Sequence, residues 1–109
     1  MKNFINYLFK AVSVSDDKSI KVWDMGMHKV IKSWDIHTDS INSLFINENF
    51  SKILTGSKNG ELYLTDLSRN TYSLIDKLEN ESIISIAMNQ NFEIFTATDK
   101  SRMYYYVRN

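Results

Sequence analysis

Two histidines, thirteen acidic side chains and no cysteine limit what this 109-residue chain could do as a catalyst. His37, Asp39 and Ser40 are the residue types of a hydrolytic triad, in which an imidazole takes the proton of an attacking hydroxyl and a carboxylate orients the ring. They crowd into one loop, whereas a working triad converges from separated elements, so no catalytic residue is assigned. The lack of thiols removes cysteine nucleophiles, disulfides and zinc–thiolate sites. A metal at His37 would find only His28 as a second imidazole; a buried, hydrogen-bonding His37 ahead of a strand is the better reading. No metal or other cofactor is expected. Tyr104-Tyr105-Tyr106 could stack on bases, but strand alternation sends Tyr104 and Tyr106 to one side and Tyr105 to the other, which breaks the platform. Thirteen basic residues balance the thirteen acidic ones, so no global field draws in nucleic acid or an anionic membrane.

The composition, 43% hydrophobic, is that of one compact unit. No apolar run approaches the roughly 20 residues of a membrane span. The opening MKNFINYLF is too short and too interrupted by Asn for a signal peptide. Without one, Asn49-Phe50-Ser51 and Asn80-Glu81-Ser82 are chance matches to a glycosylation acceptor, and a cytoplasmic or nuclear location is expected.

The elements that position these residues are strands. Residues Ala11 to Ser15 and Ser19 to Trp23 form a hairpin about Asp16-Asp17-Lys18, with Ile20 and Val22 on one face and Lys21 and Trp23 on the other. The pattern recurs: Ser13, Asp17, Trp23 and Asp24 fall on Thr55, Asn59, Thr65 and Asp66, an offset of 42. A third copy follows with one residue deleted, Thr55-Gly56-Ser57 meeting Thr96-Ala97-Thr98. The second copy is complete, with strands at Ile41–Ile46, Lys52–Ser57, Glu61–Asp66 and Tyr72–Lys77, and its Asn59-Gly60 pair is a strong hairpin signal.

A period of about 40–45 residues with four short strands per copy is that of a β-propeller blade. The expected fold is all-β, a propeller fragment of about two and a half four-stranded antiparallel blades. Residues 1–36 form an incomplete first blade lacking most of its opening strand, 37–78 a complete second and 79–109 an incomplete third. Uncovered sheet faces call for partners: the remaining blades of a longer protein, or further copies of the chain.

Ser13, Asp17 and the Trp23-Asp24 strand end, followed by His37, resemble the WD-repeat family. In that family a Ser or Thr, a turn Asp, a Trp and a preceding His are linked by hydrogen bonds. The resemblance implies a structural network at Ser13, Asp17 and Trp23 in the first unit, whose own His would lie before Met1, and at His37, Thr55 and Asn59 in the second. Thr65 takes the Trp position there. The third unit has Glu79 at the His position, Lys100 at the Asp position and Tyr106 at the Trp position. The text from Ile46-Asn47-Glu48-Asn49-Phe50 through Thr65-Asp66-Leu67 to Ala97-Thr98-Asp99-Lys100-Ser101 is similar to the WD-repeat protein 48 family, subunits that activate deubiquitinating enzymes. The resemblance implies a non-enzymatic scaffold that binds ubiquitin-specific proteases; a generic scaffold of another complex, cytoskeletal or ribosome-assembling, is the alternative. Partner-binding residues would be Ser40 and Asn42 in the second blade, Ile84 in the third, and the residue just before each turn-acid position: Asp16, Lys58 and Asp99. In the family a large aromatic at the Asn42 position and a basic residue at the Lys58 position hold the protease; here only the basic charge is kept.

Overall fold

The structure, a computed structural model, describes residues 3–7 and 10–107. Its strands are Asn3–Tyr7 (β1), Lys10–Val14 (β2), Ile20–Asp24 (β3), Lys29–Trp34 (β4), Ile41–Ile46 (β5), Lys52–Ser57 (β6), Glu61–Asp66 (β7), Thr71–Lys77 (β8), Ile83–Met88 (β9), Ile94–Thr98 (β10) and Met103–Tyr106 (β11). They form three antiparallel sheets in chain order: β1 to β4, β5 to β8, and β9 to β11.

Each sheet turns one face to the next. Val12, Val14, Ile20 and Val22 of the first sheet meet Ile41 and Ile53 of the second in one buried cluster. Leu54, Leu62 and Leu64 on the opposite face of the second sheet meet Ile83, Ile86, Met88 and Ile94 of the third. Successive residues such as Ile53 and Leu54 thus serve different interfaces, because strand side chains alternate. Burying one such side chain contributes roughly 1.5–3 kcal/mol. The first strands are innermost, β5 against β1 and β2 and β9 against β5 and β6. The last strands, β4 and β8, are largely exposed.

The third sheet has a bare face. Phe95, Met103 and Tyr105 are 37%, 74% and 52% exposed. They occupy the repeat positions of Leu54, Leu62 and Leu64, which the third sheet covers in the second.

The opening strand expected to be mostly missing is present: β1 pairs with β2 from Asn3↔Val14 to Tyr7↔Lys10. Two Asn residues weaken strand preference, but a partner strand that satisfies the backbone overrides that preference. The first unit is therefore more complete than its sequence suggests.

The turns repeat more faithfully than the sequence does. Lys18 (φ 75°), Gly60 (φ 91°) and Ser101 (φ 60°) hold the same left-handed place in the turns after β2, β6 and β10. Phe50 (φ 57°) and Phe92 (φ 62°) share one place after β5 and β9, and His28 and Asn70 (both φ 55°) share another after β3 and β7.

Candidate functional site

The second sheet carries a buried polar network at its upper end. His37, in the loop before β5, is 4% exposed, and its Nε2 lies 2.7 Å from Thr55 Oγ1. Its Nδ1 lies 3.3 Å from Glu61 Oε1, and the ring meets Tyr63 edge-on at 4.9 Å. Thr38 donates to both Glu61 oxygens, from its backbone N–H at 2.9 Å and its hydroxyl at 2.8 Å. Asn59 Nδ2 donates to Thr38 Oγ1 at 2.9 Å, and Ser57 Oγ donates to Asn59 Oδ1 at 2.5 Å. Burial pushes the His37 imidazole below its ordinary value, outweighing the pull of Glu61. Burial alone would raise Glu61, but the two Thr38 donors and His37 outweigh it and hold the carboxyl below its ordinary value. A neutral imidazole beside a carboxylate keeps its proton on Nδ1, so Nε2 accepts from the Thr55 hydroxyl.

In the first sheet Trp23 Nε1 donates to Ser13 Oγ at 2.9 Å. Asp17 does not join this pair: its carboxylate accepts from Ser15 Oγ and from the Ser19 backbone and hydroxyl, which draws its pKa down to about 2. It thereby fixes the turn that brings β3 back along β2.

The third sheet rebuilds the network with its charges exchanged. Glu79 is exposed; the carboxylate that enters is Glu81, accepting from Thr98 Oγ1 at 2.7 Å and Tyr104 Oη at 2.5 Å. Arg102, at the repeat position of Glu61, lies 3.4 Å from it. A carboxylate replaces the imidazole and a guanidinium replaces the carboxylate. The Tyr104 hydroxyl, then Thr98, hold Glu81 below its ordinary value. Tyr106, at the Trp position, donates to Asp76 Oδ2 at 2.8 Å, and burial raises its hydroxyl pKa. The exchange leaves a trace in sequence only as a Glu61/Arg102 charge reversal and a Glu two residues beyond the place the period indicates.

The triad types do not converge. The His37 ring faces Thr55 and Glu61, while Asp39 accepts from the Ser40 backbone N–H at 2.7 Å. Among the described residues no cluster of His, Asp and Glu could hold a metal ion.

Asp16, Lys58 and Asp99 lie in the turns after β2, β6 and β10, and Ser40, Asn42 and Ile84 at the entry to β5 and β9, all at one end of the sheets. Asn42 and Ile84 occupy equivalent β-bulges: pairing passes from Ile41↔Ser57 to Ser43↔Gly56, and from Ile83↔Thr98 to Ser85↔Ala97. A bulge re-aims the extra side chain out of the ladder, and Ile84 is 55% exposed. Lys58 N–H donates to the Ser40 carbonyl at 2.9 Å. Ser82 hydrogen-bonds the Lys58 carbonyl with its hydroxyl at 2.5 Å and Asp99 Oδ1 with its N–H at 2.9 Å. Lys58 and Asp99 therefore border one shallow depression, between the second and third sheets. Asp16 borders a different one, with Ser13 and Trp23.

A family model described as "WD domain, G-beta repeat" matches residues 4–24 and 28–66, more than half of the chain. Retinoblastoma-binding-like protein E of Dictyostelium discoideum is 38% identical over 68 residues, which are 62% of this chain and 13% of that protein. Mitochondrial division protein 1 of Pyricularia oryzae is 38% identical over 61 residues, 56% of this chain and 9% of that protein. The chain thus spans a small part of these relatives. Among solved structures, the WD40 β-propeller domain of Doa1 superposes with a TM-score of 0.83 at 17% identity, over 93% of this chain and 34% of the other. The computationally designed Ika4 protein gives 0.79 at 16% identity, over 97% and 64%. With its three antiparallel sheets stacked face to face and its repeat matched over both of the first two units, the chain belongs to the WD domain, G-beta repeat family.

Proposed function

We propose that the chain supplies blades to a WD-repeat propeller that acts as a non-catalytic protein-binding scaffold in the cytosol or nucleus. Partners engage the end of the sheets that carries Asp16, Ser40, Asn42, Lys58, Ile84 and Asp99. The observation that carries this reading is the pair of equivalent bulges at Asn42 and Ile84, because an exposed Ile at the same end of the sheets as the Lys58–Asp99 depression adds an apolar anchor to a polar surface. WD-repeat propellers serve generally as such scaffolds, and the names of two relatives refer to retinoblastoma binding and to mitochondrial division. The test is quantitative affinity capture with the full-length protein, wild type against Ile84→Asp and Lys58→Glu. Loss of the same partners from both variants, with unchanged melting temperature, supports the reading; an unchanged set of partners overturns it.

The narrower reading, docking onto a ubiquitin-specific protease, draws support from the exposed basic residue Lys58. It predicts that the full-length protein accelerates hydrolysis of a fluorogenic ubiquitin substrate by such a protease, and that Lys58→Glu removes the acceleration. No acceleration by the wild type leaves the general scaffold.

A further inference from the structure

The opposite end of the molecule holds a groove between the first and second sheets, with a cavity volume of about 300 Å³. Its floor is apolar, formed by Val22, Ile31, Phe50 and Leu67. Ile31 is the extra residue of a bulge in β4, where pairing passes from Val22↔Lys32 to Trp23↔Val30, and it is 41% exposed. Lys10 and Lys32 stand over this floor; among the described residues the lining holds these two cations and no carboxylate. Lys32 Nζ donates to the Leu67 carbonyl at 3.2 Å, which ties the cation to the groove and leaves two of its three N–H donors for another acceptor.

The next groove, between the second and third sheets, holds Phe92 at the repeat position of Phe50 and lacks this character. Phe45, Met88 and Phe92 line it, but Glu48 is there as well, accepting from Gln90 Nε2 at 3.2 Å. Lys52, at the repeat position of Lys10, is 3.5 Å from Asp66 and lies over the Phe92 ring at 5.2 Å. There the equivalent cation is used within the fold. In the first groove two cations face an apolar floor.

We infer that the groove between the first and second sheets binds a short acidic peptide segment, seating one bulky apolar side chain on Ile31, Phe50 and Leu67 while flanking carboxylates meet Lys10 and Lys32. Charge complementarity selects this occupant: a basic segment would set like charges against both lysines, and an uncharged one would leave them unanswered. The volume admits one large side chain with adjoining backbone. Both walls belong to sheets present in this chain, so the groove is formed whatever adjoins the third sheet. It lies at the other end from the rim of Lys58 and Ile84, so the two readings fail separately.

The test is titration of the full chain, labelled with ¹⁵N, with the capped peptide GSDFDSG, and with GSKFKSG as the charge-reversed probe. Saturable amide shifts at Ile31, Lys32, Ser51 and Ser68 are expected from the acidic peptide, with at least tenfold weaker binding of the basic one. Lys10→Glu, at an exposed side chain, should weaken the acidic peptide at least fivefold with the rest of the spectrum unchanged. Equal binding of both peptides overturns the inference, as does the absence of shifts, or shifts confined to the Lys58–Asp99 end. Concentration-dependent shifts of the groove amides without peptide also overturn it, since the occupant would then be a second copy.

Discussion

Gly56 of β6 and Ile83 of β9 meet so closely that a Cβ on the glycine would lie 2.4 Å from Ile83 Cγ2 and 2.5 Å from Ser43 Oγ. The second and third sheets approach at this point only because the side chain is absent. Gly56→Ala overpacks the junction and should destabilise by about 1–3 kcal/mol. A lower denaturant midpoint with an unchanged slope would show it. In the Gly56→Ala chain, Ile83→Ala should cost less than it does alone, because it removes the Cγ2 that the new Cβ meets and the two residues' effects are not additive.

Gly60 is more constrained. Its φ is 91°, and a Cβ there would lie 2.1 Å from the Leu78 carbonyl oxygen, a backbone atom that cannot step aside. Gly60→Ala should therefore cost more than Gly56→Ala. Lys18 and Ser101 sit in the same left-handed place without being glycine. Replacing either by Gly removes a conformational cost of about 1–2 kcal/mol and adds chain entropy to the unfolded state, for a net effect between zero and about 1 kcal/mol of stabilisation. Thermal melts of the two variants measure it.

Burial sets the sign of the pH response at His37. Its folded-state pKa lies below the ordinary value of 6.5, so on acidification the unfolded chain takes up the proton first. The stabilisation is complete above pH 6.5 and is lost as pH falls from there toward the folded-state value. Glu61, Glu81 and Asp17, all held below their ordinary values, lose theirs in a more acidic window, in the same direction. Urea melts between pH 7.5 and 5.5 should show falling stability, and His37→Gln should flatten the profile across that range.

Thr65 and Thr96 bury hydroxyls that find no hydrogen-bond partner among the described residues. Thr65 sits where the family places Trp, and Thr96 stands at the repeat position of Thr55 without an imidazole to meet it. Exchanging each hydroxyl for a methyl keeps the shape and removes an unmet polar group. Thr65→Val and Thr96→Val should each stabilise by about 1 kcal/mol, whereas Thr55→Val, which strands His37 Nε2, should cost about 1–3 kcal/mol. Parallel denaturant melts of the three variants decide the matter.

The strands of the second sheet were legible because period-two patterning, Asn59-Gly60 and a complete repeat all agreed there. β1 was not, because its two Asn residues weaken the local strand pattern and conceal its hairpin pairing with β2. Glu81 was missed because the third network exchanges its charges, so matching residue types across the repeat pointed to the exposed Glu79. The left-handed Phe50 and Phe92 were equally hidden: a bulky residue rarely takes that conformation, and Asn47 and Asn89 support it by accepting backbone N–H groups within and just past the turn. Thr65-Asp66-Leu67, read as the mark of one subfamily, has a local explanation. Asp66 Oδ1 accepts from Ser68 and Arg69, much as Asp24 Oδ1 accepts from Met27, to close the turn after the third strand. A residue chosen by its turn carries no information about a partner.

The bare face of Phe95, Met103 and Tyr105 gives the stack a polarity. The surface it presents and the one it needs are different, since the same repeat positions in the second sheet are met by Ile83, Ile86 and Ile94 rather than by a copy of themselves. Every sheet added there joins in one sense, as in head-to-tail polymerisation. A constant rotation per step then has two outcomes: it divides a full turn and closes, or it does not and grows as a helix. The junction at Gly56 and Ile83 sets that step, so a side chain of a few ångströms acts on the curvature of the whole assembly.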